Sequence, residues 1–84
     1  MEPDVIHVQA LPHWALQVEF ADGTSGNVQF QKSHFTGVFK ALLDPEIFNR
    51  VHVEGGAVTW PGNVDLAPDA MYQAIKTHGE WVLS

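Results

Sequence analysis

Five histidines are the side chains most open to chemistry in this 84-residue chain: His7, His13, His34, His52 and His78. A preorganised zinc or copper site needs imidazoles at short fixed spacings, such as His-x-His on a strand or His-x-x-x-His on a helix. No two of the five form such a pair. His7 and His52 fall on the outward faces of two expected strands and could meet if those strands were neighbours. Outward strand positions are commonly polar, however, for solvation alone. Cysteine is absent, which removes thiolate catalysis, disulfides and zinc ribbons. The expectation is no metal site and no cofactor.

Acid–base catalysis requires a carboxylate or imidazole shifted by burial or by a neighbouring charge. Asp65, between a proline turn and an expected helix, is the best placed, although that position equally suits a cap or turn brace. Asp69 has an ordinary use against the positive end of the helix dipole. The hydroxyls of Ser25, Ser33, Ser84, Thr24, Thr36, Thr59 and Thr77 lie in no nucleophile elbow and have no histidine at a telling spacing. Gly55-Gly56 reads as a hairpin rather than a phosphate loop. No catalytic residue emerges, and the balance is against an enzyme. Among the aromatic residues, Phe20, Phe30, Phe39 and Phe48 fit a core pattern. Trp14, Trp60 and Trp81 are less settled, because tryptophan serves both cores and interface anchors. Together with Asn63 and Asp65 they make the candidate binding set.

The elements that would position these residues follow from periodicity. In Val5–Ala10, Ile6, Val8 and Ala10 share one face, with His7 and Gln9 on the other. After Pro12-His13, Leu16, Val18 and Phe20 face in while Gln17 and Glu19 face out. Asp22-Gly23 supplies a hairpin turn, and Val28 and Phe30 carry a third inward face. This predicts a three-stranded antiparallel meander. Phe35, Val38, Phe39, Leu42 and Leu43 then form the stripe of a helix over 36–43, ended by Asp44-Pro45. That pair opens a further turn, with Asp44 as N-cap and Pro45 at the first helical position. Val51 and Val53 alternate with His52 and Glu54, Gly55-Gly56 turns the chain, and Ala57–Trp60 returns. Pro61-Gly62-Asn63 breaks the chain, Asp65–Asp69 leads into a helix over 68–78, and Gly79 suits its end. The last five residues read as a tail from which Trp81 docks back.

Formal charge is −6, and the four fixed cations Lys32, Lys40, Arg50 and Lys76 are scattered. Without a basic stripe, direct binding of nucleic acid is not expected. No apolar run approaches the roughly 18 residues of a membrane-spanning helix. The acidic start, Met1-Glu2-Pro3-Asp4, is unlike a signal peptide. Cytoplasmic residence is the expectation.

The stretch Trp60-Pro61-Gly62-Asn63-Val64-Asp65-Leu66-Ala67-Pro68-Asp69-Ala70-Met71-Tyr72 resembles the signature of a family of short bacterial proteins, domain of unknown function 2442. The likeness extends to Phe20-Ala21-Asp22-Gly23, Phe39 with Leu42, Asp44-Pro45 with Phe48, and Trp60-Pro61 in order. Family members usually place Asn before Gly after Trp-Pro, whereas Gly62 precedes Asn63 here; both tolerate left-handed geometry, so a turn survives. The resemblance implies an α+β domain without an established activity. Some longer relatives carry a helix-turn-helix domain, and others are encoded beside a second small protein in a toxin–antitoxin-like arrangement. By that analogy the chain would be a partner-binding or dimerising half without the DNA-reading half.

These readings converge on a single α+β domain over 1–84: an antiparallel sheet of four or five strands with two or three short helices packed on one face. The function they favour is a noncatalytic protein-interaction or dimerisation module, partnered by itself or by another small protein. The alternative is a small-ligand or enzymatic site around Trp60–Asp65, anchored by Asp65.

Overall fold

Strict alternation in the first third of the chain produces the meander. A computed structural model describes residues 3–62 and 64–83, with β1 (Val5–Leu11), β2 (Ala15–Phe20) and β3 (Ser25–Phe30) in consecutive antiparallel pairing. Leu16, Val18, Phe20, Val28 and Phe30 are buried, as the alternation requires. At the start of β1 the register slips between Val5 and His7, because two residues there oppose a single step on β2. This bulge turns Val5 into the core and leaves Ile6 56% exposed. Of the face expected to be shared by Ile6, Val8 and Ala10, only Val8 and Ala10 pack against the core.

The Asp22-Gly23 turn closes β2 onto β3, with Gly23 at φ 89°. The Asp22 carboxylate accepts the Thr24 N–H at 2.9 Å and the Tyr72 hydroxyl at 2.7 Å, pinning this turn to α2 (Pro68–His78). These bonds, the Thr24 backbone first and then Tyr72, hold the Asp22 pKa below its ordinary value. A depressed carboxylate stabilises the fold above its unfolded pKa, and that contribution disappears as pH falls through the folded value. Melting of wild type and Asp22→Ala from neutral to strongly acidic pH should show a gap at neutrality that closes in acid. A gap independent of pH would refute the linkage.

Beyond Phe30 the chain departs from the expected helix. Lys32–His34 and Gly37–Leu43 are 3₁₀ segments, tied by i→i+3 bonds such as Phe39 N–H to Thr36 O at 3.1 Å and Asp44 N–H to Ala41 O at 3.2 Å. Thr36 and Asp44 are extended at either end of the second segment, and Gly37 sits at φ 56°. The stretch between them is too short for the cooperative gain of an α-helix. Three-residue periodicity puts Phe39 and Leu42 on the inner side, whereas Leu43 is 43% exposed. The next turn, α1 (Pro45–Phe48), begins as its residues dictate: Asp44 caps it by accepting the Glu46 N–H at 3.0 Å.

The second half forms a separate antiparallel sheet, β4 (His52–Glu54), β5 (Ala57–Trp60) and β6 (Val64–Asp65). Gly55 and Gly56, at φ 61° and 80°, make its first turn. The two sheets meet where Val5 N–H donates to Gly56 O at 2.9 Å. Asp65, expected at the opening of a helix, instead pairs with Thr59 as the end of β6. The helix starts three residues later, and its bounds are those the sequence predicts, closed by left-handed Gly79. The expected tail is β7 (Glu80–Leu83), which runs parallel to β3 and completes the order β1-β2-β3-β7. The architecture is α+β, with two mostly antiparallel sheets in place of one and α2 as its one helix of several turns among the described residues. Its core joins Phe20, Val28 and Phe30 to Val58, Trp60, Met71 and Ile75. Among the described residues no helix is long and apolar enough to cross a membrane.

Candidate functional site

Between β1 and β2 the chain turns through Pro12-His13-Trp14, and His13 and Trp14 both adopt left-handed backbone, at φ 64° and 60°. Such conformations cost about 1–3 kcal/mol each in non-glycine residues and persist only where neighbours hold them. Gln29 does so from β3: its side-chain amide donates to the carbonyls of His13 and Phe30, each at 2.9 Å, with the Trp14 carbonyl at 3.4 Å. The Phe30 N–H donates to the Trp14 carbonyl at 3.0 Å. The turn thereby lays the half-buried Trp14 ring edge-on against Phe35 and Phe48, with centroids 5.7 and 5.3 Å away.

An open cleft of about 300 Å³ results. Leu11, Pro12, His13 and Trp14 form one wall, and Pro45, Phe48 and Asn49 the other. Both walls are mainly apolar, with the His13 imidazole and the Asn49 amide as polar groups. No carboxylate or hydroxyl side chain lines the cleft among the described residues, so no acid–base pair or activated nucleophile stands there.

Of the candidate binding residues among those described, only Trp14 lines this cleft. Trp60 lies beneath it at 1% exposure; its indole N–H donates to the Phe48 carbonyl at 2.9 Å, and its ring lies 5.9 Å from that of Phe48. Trp60 pairs with Val64 on the buried side of the second sheet, whereas neighbouring Asp65 pairs with Thr59 and is exposed. The indole and the carboxylate thus face opposite sides of one hairpin. Asp65 borders a separate hollow with Glu54, Ala57 and Thr59. Trp81, on β7, is half-buried at the far edge of the first sheet. Asn63 lies outside the described residues.

The histidines remain dispersed, and among the described residues no three His, Asp or Glu side chains gather where a metal ion could be held. His34 lies against Phe39 and Phe30, with centroids 4.7 and 5.6 Å away, and its Nε2 is shielded without a partner. His52 meets the Arg50 carbonyl at 3.1 Å and Glu54 at 3.4 Å; the carbonyl first and the carboxylate second raise its pKa. Pro45 and Asn49 escaped the sequence reading as surface residues, whereas Phe48, expected in the core, is buried there at 2% exposure. The one available signal was Asp44-Pro45, which marks a helix start but not what that helix faces.

A family model described as Protein of unknown function (DUF2442) matches residues 5–77. Comparison with curated proteins and with solved structures gives no match.

Proposed function

The chain belongs to the DUF2442 family, and on that premise we propose that it is a noncatalytic protein-interaction module whose contact surface is the Trp14 cleft. One observation carries this reading: two adjacent non-glycine residues in left-handed backbone, braced by Gln29, present an aromatic wall to solvent. Backbone strain of this kind concentrates at functional sites. The volume, about 300 Å³, is at the lower limit of small-molecule sites and suits one apolar side chain of a protein partner. The net charge of −6 favours a partner surface that is cationic around that side chain. A small protein encoded beside this one, as the family resemblance suggests, is the first partner to test.

Asn49 is exposed at the end of α1, where an arginine side chain can lie across the cleft without entering the core. Wild type and Asn49→Arg should be used side by side for affinity capture from the native host. Light scattering of the purified pair follows. Loss of the captured protein with Asn49→Arg is the expected result. An unchanged capture profile, or no captured protein with either form, overturns the proposal.

A further inference from the structure

The opposite edge of the first sheet poses a separate question. Its β1 edge is guarded: the bulge at Ile6 interrupts the register, and Gly56 bonds the Val5 N–H. The β7 edge has neither device. Glu80-Trp81-Val82-Leu83 has no lysine, no proline and no bulge, and among the described residues no element but β3 pairs with it. The guards of this edge are its short length and the single charge of Glu80, and an open edge of this kind is a template for another strand.

Backbone direction fixes which groups are available. The Leu83 carbonyl accepts from Gln31 N–H at 2.8 Å, so Leu83 turns its backbone toward β3. Alternate residues of a strand share that direction, so Trp81 turns the same way and Glu80 and Val82 present their N–H and C=O groups to the open side. Side chains alternate as well. Trp81 and Leu83 share the face of their register partners Val28 and Phe30, toward the core. Val82 stands on the outer face, 44% exposed.

We infer that β7 pairs antiparallel with β7 of a second copy of this chain, joining two four-stranded sheets into one. Side-chain faces must match across the new ladder, which restricts the register to residues of like parity. The register that uses every outward group of Glu80 and Val82 sets Trp81 opposite the partner's Trp81 and Glu80 opposite the partner's Val82. The two indoles, half-buried in each copy, then cover one another as a cross-strand aromatic pair. The two Glu80 carboxylates are kept apart by the two-fold axis. The surface is distant in the sheet order from the β1–β2 turn that bears Trp14, so it does not depend on the cleft's occupant.

Sedimentation of the full chain across micromolar to submillimolar concentration tests the pairing. Wild type should show reversible association to two copies, unchanged by Asn49→Arg. Val82→Glu places like charges opposite Glu80 twice per dimer and should weaken association by about tenfold. Adding Glu80→Lys to Val82→Glu converts both positions to opposite-charge pairs and should restore association, which also shows that the single variant's loss is not a folding defect. A chain monomeric throughout, an unaffected Val82→Glu, or a double variant that stays monomeric overturns the inference.

Discussion

Trp60→Ala is expected to cost about 3–5 kcal/mol of unfolding free energy, the range for deleting a fully buried large aromatic side chain. The ring is 1% exposed and touches Phe30 and Phe48 at centroid distances of 6.0 and 5.9 Å. Its removal empties the place where the second sheet meets the first, and it also leaves the Phe48 carbonyl without the indole N–H that now donates to it at 2.9 Å. Against a total stability of about 5–15 kcal/mol for a domain of this kind, such a loss unfolds a large share of molecules near physiological temperature. Trp60→Phe separates the two contributions, because it keeps an aromatic ring in the core while leaving the Phe48 carbonyl only the longer bond from the Val51 N–H at 3.3 Å. It should be clearly milder than alanine yet still destabilising. Urea denaturation of the three proteins checks this, and an alanine loss below about 1 kcal/mol would show that the ring does not support the core.

Gly26→Ala should cost about 1–3 kcal/mol, the usual penalty for forcing an extra methyl into a packed interface. Gly26 lies on β3 beneath the end of α2, where an added Cβ would meet the Gly79 carbonyl oxygen and Ile75 Cγ2, each at 2.8 Å. The first of those atoms is backbone, held by the Gly79 N–H bond to Ile75 O at 2.7 Å, so it cannot swing aside as a side-chain tip would. Relief requires the helix to lift from the strand. Replacing glycine also stiffens the unfolded chain, a gain of about 0.4–1 kcal/mol where the native geometry accepts the methyl. The clash should outweigh it. A melting temperature equal to or above wild type would show that α2 has room to shift.

Where local chemistry decides local structure, the fold was legible in the residues. Alternation at Leu16, Val18 and Phe20 and at Val28 and Phe30 has a single solution, and Asp44-Pro45 and Pro68…Gly79 bracket their helices with capping chemistry that acts within a turn. The parts that were not legible depend on tertiary context. The stripe from Phe35 to Leu43 is compatible with periods of 3 and 3.6 over so short a run, and the extended Thr36 and Asp44 decide for 3₁₀. The bulge at Ile6 leaves no mark in composition, because Val, Ile and His are all ordinary strand residues. Glu80–Leu83 is too brief to announce a strand, and its partner β3 is distant in sequence.

The candidate site shows the same division. Trp14 could be singled out as an aromatic residue near a proline break, but its left-handed backbone could not, since that conformation is imposed by Gln29 from another strand. The facing wall of Pro45, Phe48 and Asn49 comes from a turn whose amphipathic character is too short to read. Asp65 and Trp60, adjacent to one turn in the sequence, are separated by the two faces of the β5–β6 hairpin. Strand alternation carries this in principle, once Val64–Asp65 is known to be a strand.

The parallel ladder between β3 and β7 also has a kinetic meaning. β1, β2 and β3 can zip through short turns, but β7 joins them only after the intervening 3₁₀ segments, second sheet and α2 have brought Glu80 to Asn27. Closing so long a loop costs entropy before the new contacts repay it. β7 has only four residues, so its peeling is a partial opening that leaves the meander itself intact. Such an open form bares the edge of β3, which makes β7 the molecule's own guard against exchange of strands between chains.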